Sequence, residues 1–213
     1  MKDRYKVAVN IFNKRANGYA TKFASVAQYH DGFDFLCKQL TESSSILDLA
    51  CGPGNISNYL HSIRPDLKIL GVDLAPKMLE IAKVNNPASQ FQVGDIRELK
   101  SLNQKFEAIV LGFGMPYLSK DEVEKVINDM NHVLSENGIV YISTMEGKYE
   151  ESGFQKSSDG KDEMFIYYHE PEYIQTFMQN SGFKIIWEKH QPYFENGSLR
   201  FTDYIVVARK KGG

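Results

Sequence analysis

The feature that most constrains this chain is a rhythm between residues 46 and 142, where short apolar runs closed by glycine or aspartate alternate with amphipathic stretches. The runs are 46–50, leading into Cys51-Gly52-Pro53-Gly54-Asn55; 67–71, ending in Val72-Asp73; 91–93, closed by Gly94-Asp95; 106–111, closed by Gly112; and 139–142. The intervening stretches carry helical spacing. Ile56, Tyr59, Leu60 and Ile63 share a face, and Met78, Leu79 and Ala82 follow Pro76 at a first helical turn. Between 120 and 134, Val123, Val126, Ile127, Met130, Val133 and Leu134 recur at intervals of three and four, and Asn137-Gly138 stops that helix. Parallel strands need a crossover of a dozen or so residues, so this alternation predicts an α/β fold: a mostly parallel sheet with helices on both faces.

The flanks read differently. Residues 1–42 form a helical cap, with Phe23, Val26, Ala27 and His30 on one face and Phe33, Leu36, Cys37 and Leu40 on another, broken at Asp31-Gly32. Residues 146–162 are polar and glycine-bearing and read as a mobile excursion, followed at 165–168 by a strand that covers a pocket. Pro171 opens a helix carried by Tyr173, Ile174, Phe177 and Met178 that ends at Ser181-Gly182. The runs 183–187 and 201–208, with Asn196-Gly197 between them and no helical pattern, predict an antiparallel pair. Lys210-Lys211-Gly212-Gly213 reads as a frayed tail. The expectation is one domain over 1–213: a cap at 1–42, a ligand-binding core at 43–145, a lid at 146–169, and a C-terminal helix with an antiparallel hairpin at 170–209.

Length and charge set the outer bounds. A chain of 213 residues fits one α/β domain. With 25 Lys and Arg against 27 Asp and Glu, the net charge of -2 argues against a broadly basic, nucleic-acid-binding surface. No run of about 18 apolar residues suggests a membrane span, and Met1-Lys2-Asp3-Arg4-Tyr5-Lys6 does not lead into a signal-peptide core. The two cysteines, Cys37 and Cys51, make no disulfide framework and no CxxC zinc pair, and the histidines show no metal spacing. These features predict a soluble, cytoplasmic protein without a metal, monomeric or homodimeric, whose partner is a small molecule rather than nucleic acid or membrane.

In open parallel sheets, ligands sit beyond the carboxyl ends of the strands. Gly52 and Gly54 at the first strand-to-helix junction allow a tight turn and close approach of a ligand to the backbone. A dinucleotide fingerprint, G-x-G-x-x-G, fails because Ser57 stands at its third glycine, and no phosphate-loop motif is present. Asp73, at the end of the second run, could accept hydrogen bonds from both ribose hydroxyls and would repel a 2'-phosphate. Asp95 could accept from an adenine amine, with Leu74, Met78 and Ile96 supplying apolar faces. Together they describe a site for an adenosine bearing a zwitterionic tail and no phosphate. Plainer readings stand beside these: Asp73 as a helix cap, Asp95 as a turn residue, Cys51 as a small loop residue and residues 112–117 as a connection.

Leu47-Asp48-Leu49-Ala50-Cys51-Gly52-Pro53-Gly54-Asn55, Gly71-Val72-Asp73-Leu74-Ala75-Pro76-Lys77-Met78-Leu79 and Gly94-Asp95-Ile96 resemble the first three motifs of class I S-adenosylmethionine-dependent methyltransferases. Leu134-Ser135-Glu136-Asn137-Gly138 is similar to a later motif, and Phe12, Ala16 and Tyr19 resemble the N-terminal segment of the ubiquinone- and biotin-biosynthesis type. The resemblance covers about residues 10–208. It implies a Rossmann-like, seven-stranded, mostly parallel sheet ending in an antiparallel hairpin, with S-adenosyl-L-methionine as cofactor and S-adenosyl-L-homocysteine as product. By the resemblance, Asp48 orders the loop and helps hold the methionine amine, while Ala50, Gly52 and Gly54 line or shape the tail site. Asp73 binds the ribose, Asp95 with Ile96 the adenine, with Leu74 and Met78 as further apolar faces for the ring, and Leu111, Gly112 and Phe113 sit beside the sulfonium and the methionine amine. Tyr19 closes over from the cap. One departure is Ala50, which stands where many relatives have the first glycine and is expected to be tolerated at a negative φ.

Methyl transfer to a small-molecule acceptor is an in-line displacement at an activated carbon. Positioning carries much of the rate, and a base is needed only where the acceptor must lose a proton. Tyr117 and His169 are the candidate catalytic side chains, with Glu146 and Tyr168 nearby in the reading, and His169 could equally be a satisfied loop histidine. The competing functions are an NAD-dependent oxidoreductase on a similar sheet and a non-catalytic S-adenosylmethionine-binding protein.

Overall fold

The structure, a computed structural model, describes residues 4–157, 160–195 and 197–212. Along the chain come α1 (Arg4–Lys22), α2 (His30–Lys38), β1 (Ser45–Leu49), α3 (Asn55–Ile63), β2 (Lys68–Asp73), α4 (Pro76–Asn85), β3 (Gln90–Val93), β4 (Phe106–Gly112), α5 (Lys120–Val133) and β5 (Leu134–Met145). They are followed by β6 (Gly153–Lys156), β7 (Glu163–Ile166), α6 (Pro171–Asn180), β8 (Phe183–Glu195) and β9 (Ser198–Lys210). The main sheet has seven strands in the order β3-β2-β1-β4-β5-β9-β8, and β6 and β7 make a separate two-stranded ribbon. β1 to β5 pair in parallel, while β9 runs antiparallel to both β5 and β8. This is the α/β architecture expected from the alternation.

Central strands buried on both faces need apolar residues at every position, and alternate side chains serve opposite cores. Leu47, Leu49, Ile109, Leu111, Val140 and Ile142 enter one core with α5 and α6. Ile46, Ala108, Val110, Tyr141, Ile205 and Val207 enter the other with Phe33, Leu36 and Cys37 of α2. The parallel order reverses at β1, whose neighbours are β2 and β4. That reversal opens a crevice between the carboxyl ends of β1 and β4.

Several flanking expectations need correction. The break in the cap falls at 23–26, not at Asp31-Gly32, which lie in the first turn of α2. Gly32 lies within the helix, and a Cβ there would come within 2.8 Å of the Tyr141 ring, so the glycine permits close packing rather than a stop. The stretch 146–162 is not structureless: it contains β6 and contributes to the ribbon that β7 completes. The C-terminal runs extend into two 13-residue strands, so most of the presumed loop is paired; Asn196 of the Asn196-Gly197 turn lies outside the described residues. Lys210 and Lys211 are tied down, Lys210 by Glu136 at 2.9 Å and Lys211 through its amide to the Gly182 carbonyl at 2.8 Å.

Candidate functional site

The loop after β1 is built around a buried carboxylate. Asp48 is 0% exposed; its Oδ2 accepts from the Ser57 hydroxyl at 2.6 Å, so the residue that breaks the dinucleotide fingerprint is the partner of the aspartate before the loop. Asp48 Oδ1 has no hydrogen-bond partner among the described residues. Burial raises the Asp48 carboxyl to about 7, with the Asp73 charge adding to the rise and the Ser57 bond opposing it. Cys51 is buried, and burial pushes its thiol well up, which suits a packing residue.

Beyond the loop, Asp73 at the end of β2 accepts from the Gly52 amide at 2.8 Å and from the Ala75 amide at 2.7 Å, knitting the first loop to the second. Burial raises its carboxyl despite those bonds. Ala50 has φ +52°, Gly52 +54° and Gly54 +80°. The expectation of a negative φ at Ala50 is therefore corrected: alanine sits in the left-handed region, at a cost of roughly 1–2 kcal/mol. Gly54 caps α3, and a Cβ on it would run into the Asn86 side chain as well as requiring a left-handed alanine. Phe113, after β4, has φ +61° and is held by its amide on the Ser143 carbonyl at 3.0 Å. Ala50 and Phe113, both non-glycine residues in the left-handed region, line the same cavity, the kind of strain that collects at functional sites.

Tyr19, Ala50, Gly52, Asp73, Leu74, Met78, Asp95, Ile96, Gly112, Phe113 and Tyr117 all line one cavity of about 770 Å³, part of it open to solvent. Asp95 caps the short turn Ile96–Leu102 and is gripped by the Arg97 guanidinium at 2.5 and 2.9 Å. Burial works against the Asp95 charge, but the Arg97 bonds outweigh it and hold the carboxyl below its usual range. Arg97 is the sole cationic lining residue among those described, and it is paired with Asp95 and Glu122. Burial pushes the Tyr117 and Tyr19 hydroxyls up, Tyr19 to about 12 with help from Asp73.

Four expected site residues are not in this wall. Leu111 points into the core beneath the sheet, Gly54 caps α3 and Asp48 lies behind the loop. His169 is corrected most sharply: it is 0% exposed, and its Nε2 donates to the carbonyls of Leu118 at 3.1 Å and Met115 at 3.3 Å. Desolvation lowers its pKa despite those carbonyls, so it remains a neutral brace for the turn that carries Tyr117. Glu146 is bound to His190 at 2.6 Å, and neither it nor Tyr168 lines this cavity.

Lining residues that the sequence did not single out include Arg97 after β3 and, from α1, Tyr5, Ala8 and Val9. Together with Phe12 of the N-terminal segment these α1 residues roof the cavity, and Tyr5 stacks under Arg97 at 3.6 Å while donating to Glu122. Their helical spacing was the only signal. A second cavity, of about 1610 Å³ with its solvent-open part included, shares Tyr19, Ala50, Gly52, Gly112, Phe113 and Tyr117 with the first and continues between the 23–29 segment and β8–β9.

Comparison with known proteins agrees with this geometry. A methyltransferase domain family matches residues 46–138. The chain is 35% identical over 97 residues to a demethylmenaquinone methyltransferase of Thermotoga maritima, an alignment covering 46% of this chain and 42% of that protein. With the demethylmenaquinone methyltransferase of Leptospira interrogans it shares 27% over 175 residues, covering 68% and 69%. Among solved structures, magnesium protoporphyrin IX methyltransferase from Synechocystis with bound S-adenosylmethionine superposes with a TM-score of 0.72 at 14% identity, over 99% of both chains. No described helix is long and apolar enough to cross a membrane. The three motifs at consecutive strand ends and the strand order are similar to those of class I S-adenosylmethionine-dependent methyltransferases, and the matched methyltransferase domain spans the strands that carry them, while the chain spans less than half the length of the Thermotoga relative.

Proposed function

We propose that the first cavity binds S-adenosylmethionine and that the protein transfers its methyl group to a small molecule held in the second. The observation that carries this reading is the shared wall: Tyr19, Ala50, Gly52, Gly112, Phe113 and Tyr117 line both cavities, at the carboxyl ends of β1 and β4. The donor set suits the cofactor. Asp73 keeps free lone pairs for ribose hydroxyls, Leu74, Met78 and Ile96 offer apolar faces, and the one lining cation is already neutralised, which disfavours a pyrophosphate. When bound, the cofactor supplies a methyl carbon already activated by its sulfonium. The chain's part is then positioning: Ala50 and Phe113, locked in left-handed backbone, fix the passage between the cavities. Tyr19 and Tyr117, both kept protonated by burial, can donate hydrogen bonds there. The helix α1 roofs the first cavity, and the β6–β7 ribbon lies against it through Asp162, which pairs with Lys14 at 3.0 Å and with Arg15.

The relatives named above act on demethylmenaquinone and magnesium protoporphyrin, which supports a small organic acceptor here. Two buried free thiols accord with a reducing, cytoplasmic setting. Isothermal titration with S-adenosylhomocysteine and with NAD tests the reading. Binding of the first and not the second is expected, and the reverse would return the site to the oxidoreductase alternative. Asp73→Ala should weaken S-adenosylhomocysteine by about 1–3 kcal/mol through unpaired ribose hydroxyls; an unchanged affinity would put the site elsewhere.

A further inference from the structure

Behind the second cavity lies a buried ionisable pair with no counter-cation bonded to it among the described residues. Tyr29, in the turn Ala27–Tyr29, lines the cavity and donates its hydroxyl to Asp203 Oδ2 at 2.7 Å. Asp203, on β9 opposite Met145, is 0% exposed, and its Oδ1 has no partner among the described residues. The groups facing it are Tyr29, the Tyr141 hydroxyl on β5 and the like-charged Glu146, which is itself held by His190 at 2.6 Å. A carboxylate buried beside a second acid and no base is costly, and an apolar pair would fasten the turn to the sheet with less penalty.

The cavity in front of the pair is aromatic. Phe23, Tyr29, Phe113, Tyr193, Phe194 and Phe201 contribute rings, with Tyr29 and Phe113 centred 4.8 Å apart and Tyr193 stacked on Phe201 at 4.6 Å. Lys22 is the one charged lining residue among those described, and it is paired with Glu195 at 3.0 Å. Such a wall accepts a flat, uncharged ring.

We propose that Tyr29 and Asp203 form a proton relay serving the second cavity, and that the cavity takes an uncharged aromatic compound bearing an acidic hydroxyl. This rests on the second cavity being the acceptor site. The ligand's hydroxyl proton passes to Tyr29 Oη as the Tyr29 proton passes to Asp203 Oδ2. The negative charge moves from Asp203 to the ligand oxygen, and no other reactant is consumed. Burial raises the Asp203 carboxyl to about 7, the Tyr29 bond opposing and Glu146 assisting, which matches a base working near neutrality. The Tyr29 hydroxyl is pushed far up by burial and by Asp203, so it keeps its proton until another arrives.

Fluorescence titration of the full chain with 2-naphthol and with naphthalene tests the relay without cofactor or turnover. At pH 8, 2-naphthol should bind on the order of tenfold more tightly than naphthalene, the gain expected of one hydrogen bond to a charged pair. That advantage should fall as pH drops through about 7 and Asp203 takes up a proton. Tyr29→Phe and Asp203→Asn should each abolish the pH dependence and leave naphthalene affinity in place, which also reports that the variants fold. His190→Gln should leave the profile standing. Equal affinity for the two probes at pH 8, or a profile that follows His190 instead, overturns the relay, and the wild-type profile decides the matter even where a variant does not fold. Loss of the relay with retained S-adenosylhomocysteine binding would leave the methyltransferase reading intact, so the two failures are distinct.

Discussion

Ala50 is a side chain placed where the backbone asks for none. Its φ of +52° costs an alanine what a glycine would not pay, yet the residue faces both cavities. Ala50→Gly should therefore stabilise the protein by about 1 kcal/mol, less what the unfolded chain gains in freedom. A urea midpoint that rises at constant slope is the expected outcome, and a fall would mean that the alanine methyl packs more usefully than the strain costs. Ser57 carries a similar lesson. Read along the chain, it only breaks a motif; in the fold, its hydroxyl holds the buried Asp48 carboxylate at 2.6 Å.

At the scale of elements, α5 and α1 are coupled through one carboxylate. Ser119 and Glu122 form a capping box at the start of α5, with the Ser119 amide donating to Glu122 at 2.9 Å. The same Glu122 accepts from Arg97 at 3.2 Å and from the Tyr5 hydroxyl of α1. Ser119→Ala should cost about 1 kcal/mol of global stability as a lost cap. Glu122→Ala should in addition loosen the first turns of α1, read as faster amide hydrogen exchange over residues 5–12 and a faster release of S-adenosylhomocysteine. Unchanged exchange there would show that the hydrophobic contacts of Val9, Phe12 and Tyr19 with Met78 and Ala75 hold the roof unaided.

For the whole molecule, the two aspartates with carboxyls raised to about 7, Asp48 and Asp203, set an unusual pH dependence. Each holds a proton in the folded state between about pH 4 and 7 that the unfolded chain releases, so stability is full below that window and falls as pH rises through it. The loss approaches about 1.4 kcal/mol for each pH unit and each group. Carboxylates held low, such as Asp162 beside Lys14 and Arg15, act in the opposite sense at more acid pH. Denaturation midpoints should consequently peak in mildly acid solution, decline toward pH 7 and level off above it. Asp48→Asn should flatten the decline; an unaltered slope would mean that Asp48 is ionised throughout.

The local signals settled a great deal before any fold existed. Apolar runs at crossover spacing dictate parallel strands, because hydrophobic burial on both faces leaves no alternative for Ile46, Val110 or Ile142, and the ends of those strands expose Asp73, Asp95 and Gly112 wherever the sheet forms. What depends on contacts between distant segments was not legible. His169 reads as a mouth residue and is a buried brace, because the carbonyls it satisfies belong to Met115 and Leu118. Tyr29 and Asp203, 174 positions apart, become an ionisable pair only when β9 closes against the cap. Periodicity is a property of neighbours in sequence, whereas burial, strain at Ala50 and the pKa of a carboxylate are set by whatever the finished fold packs around them.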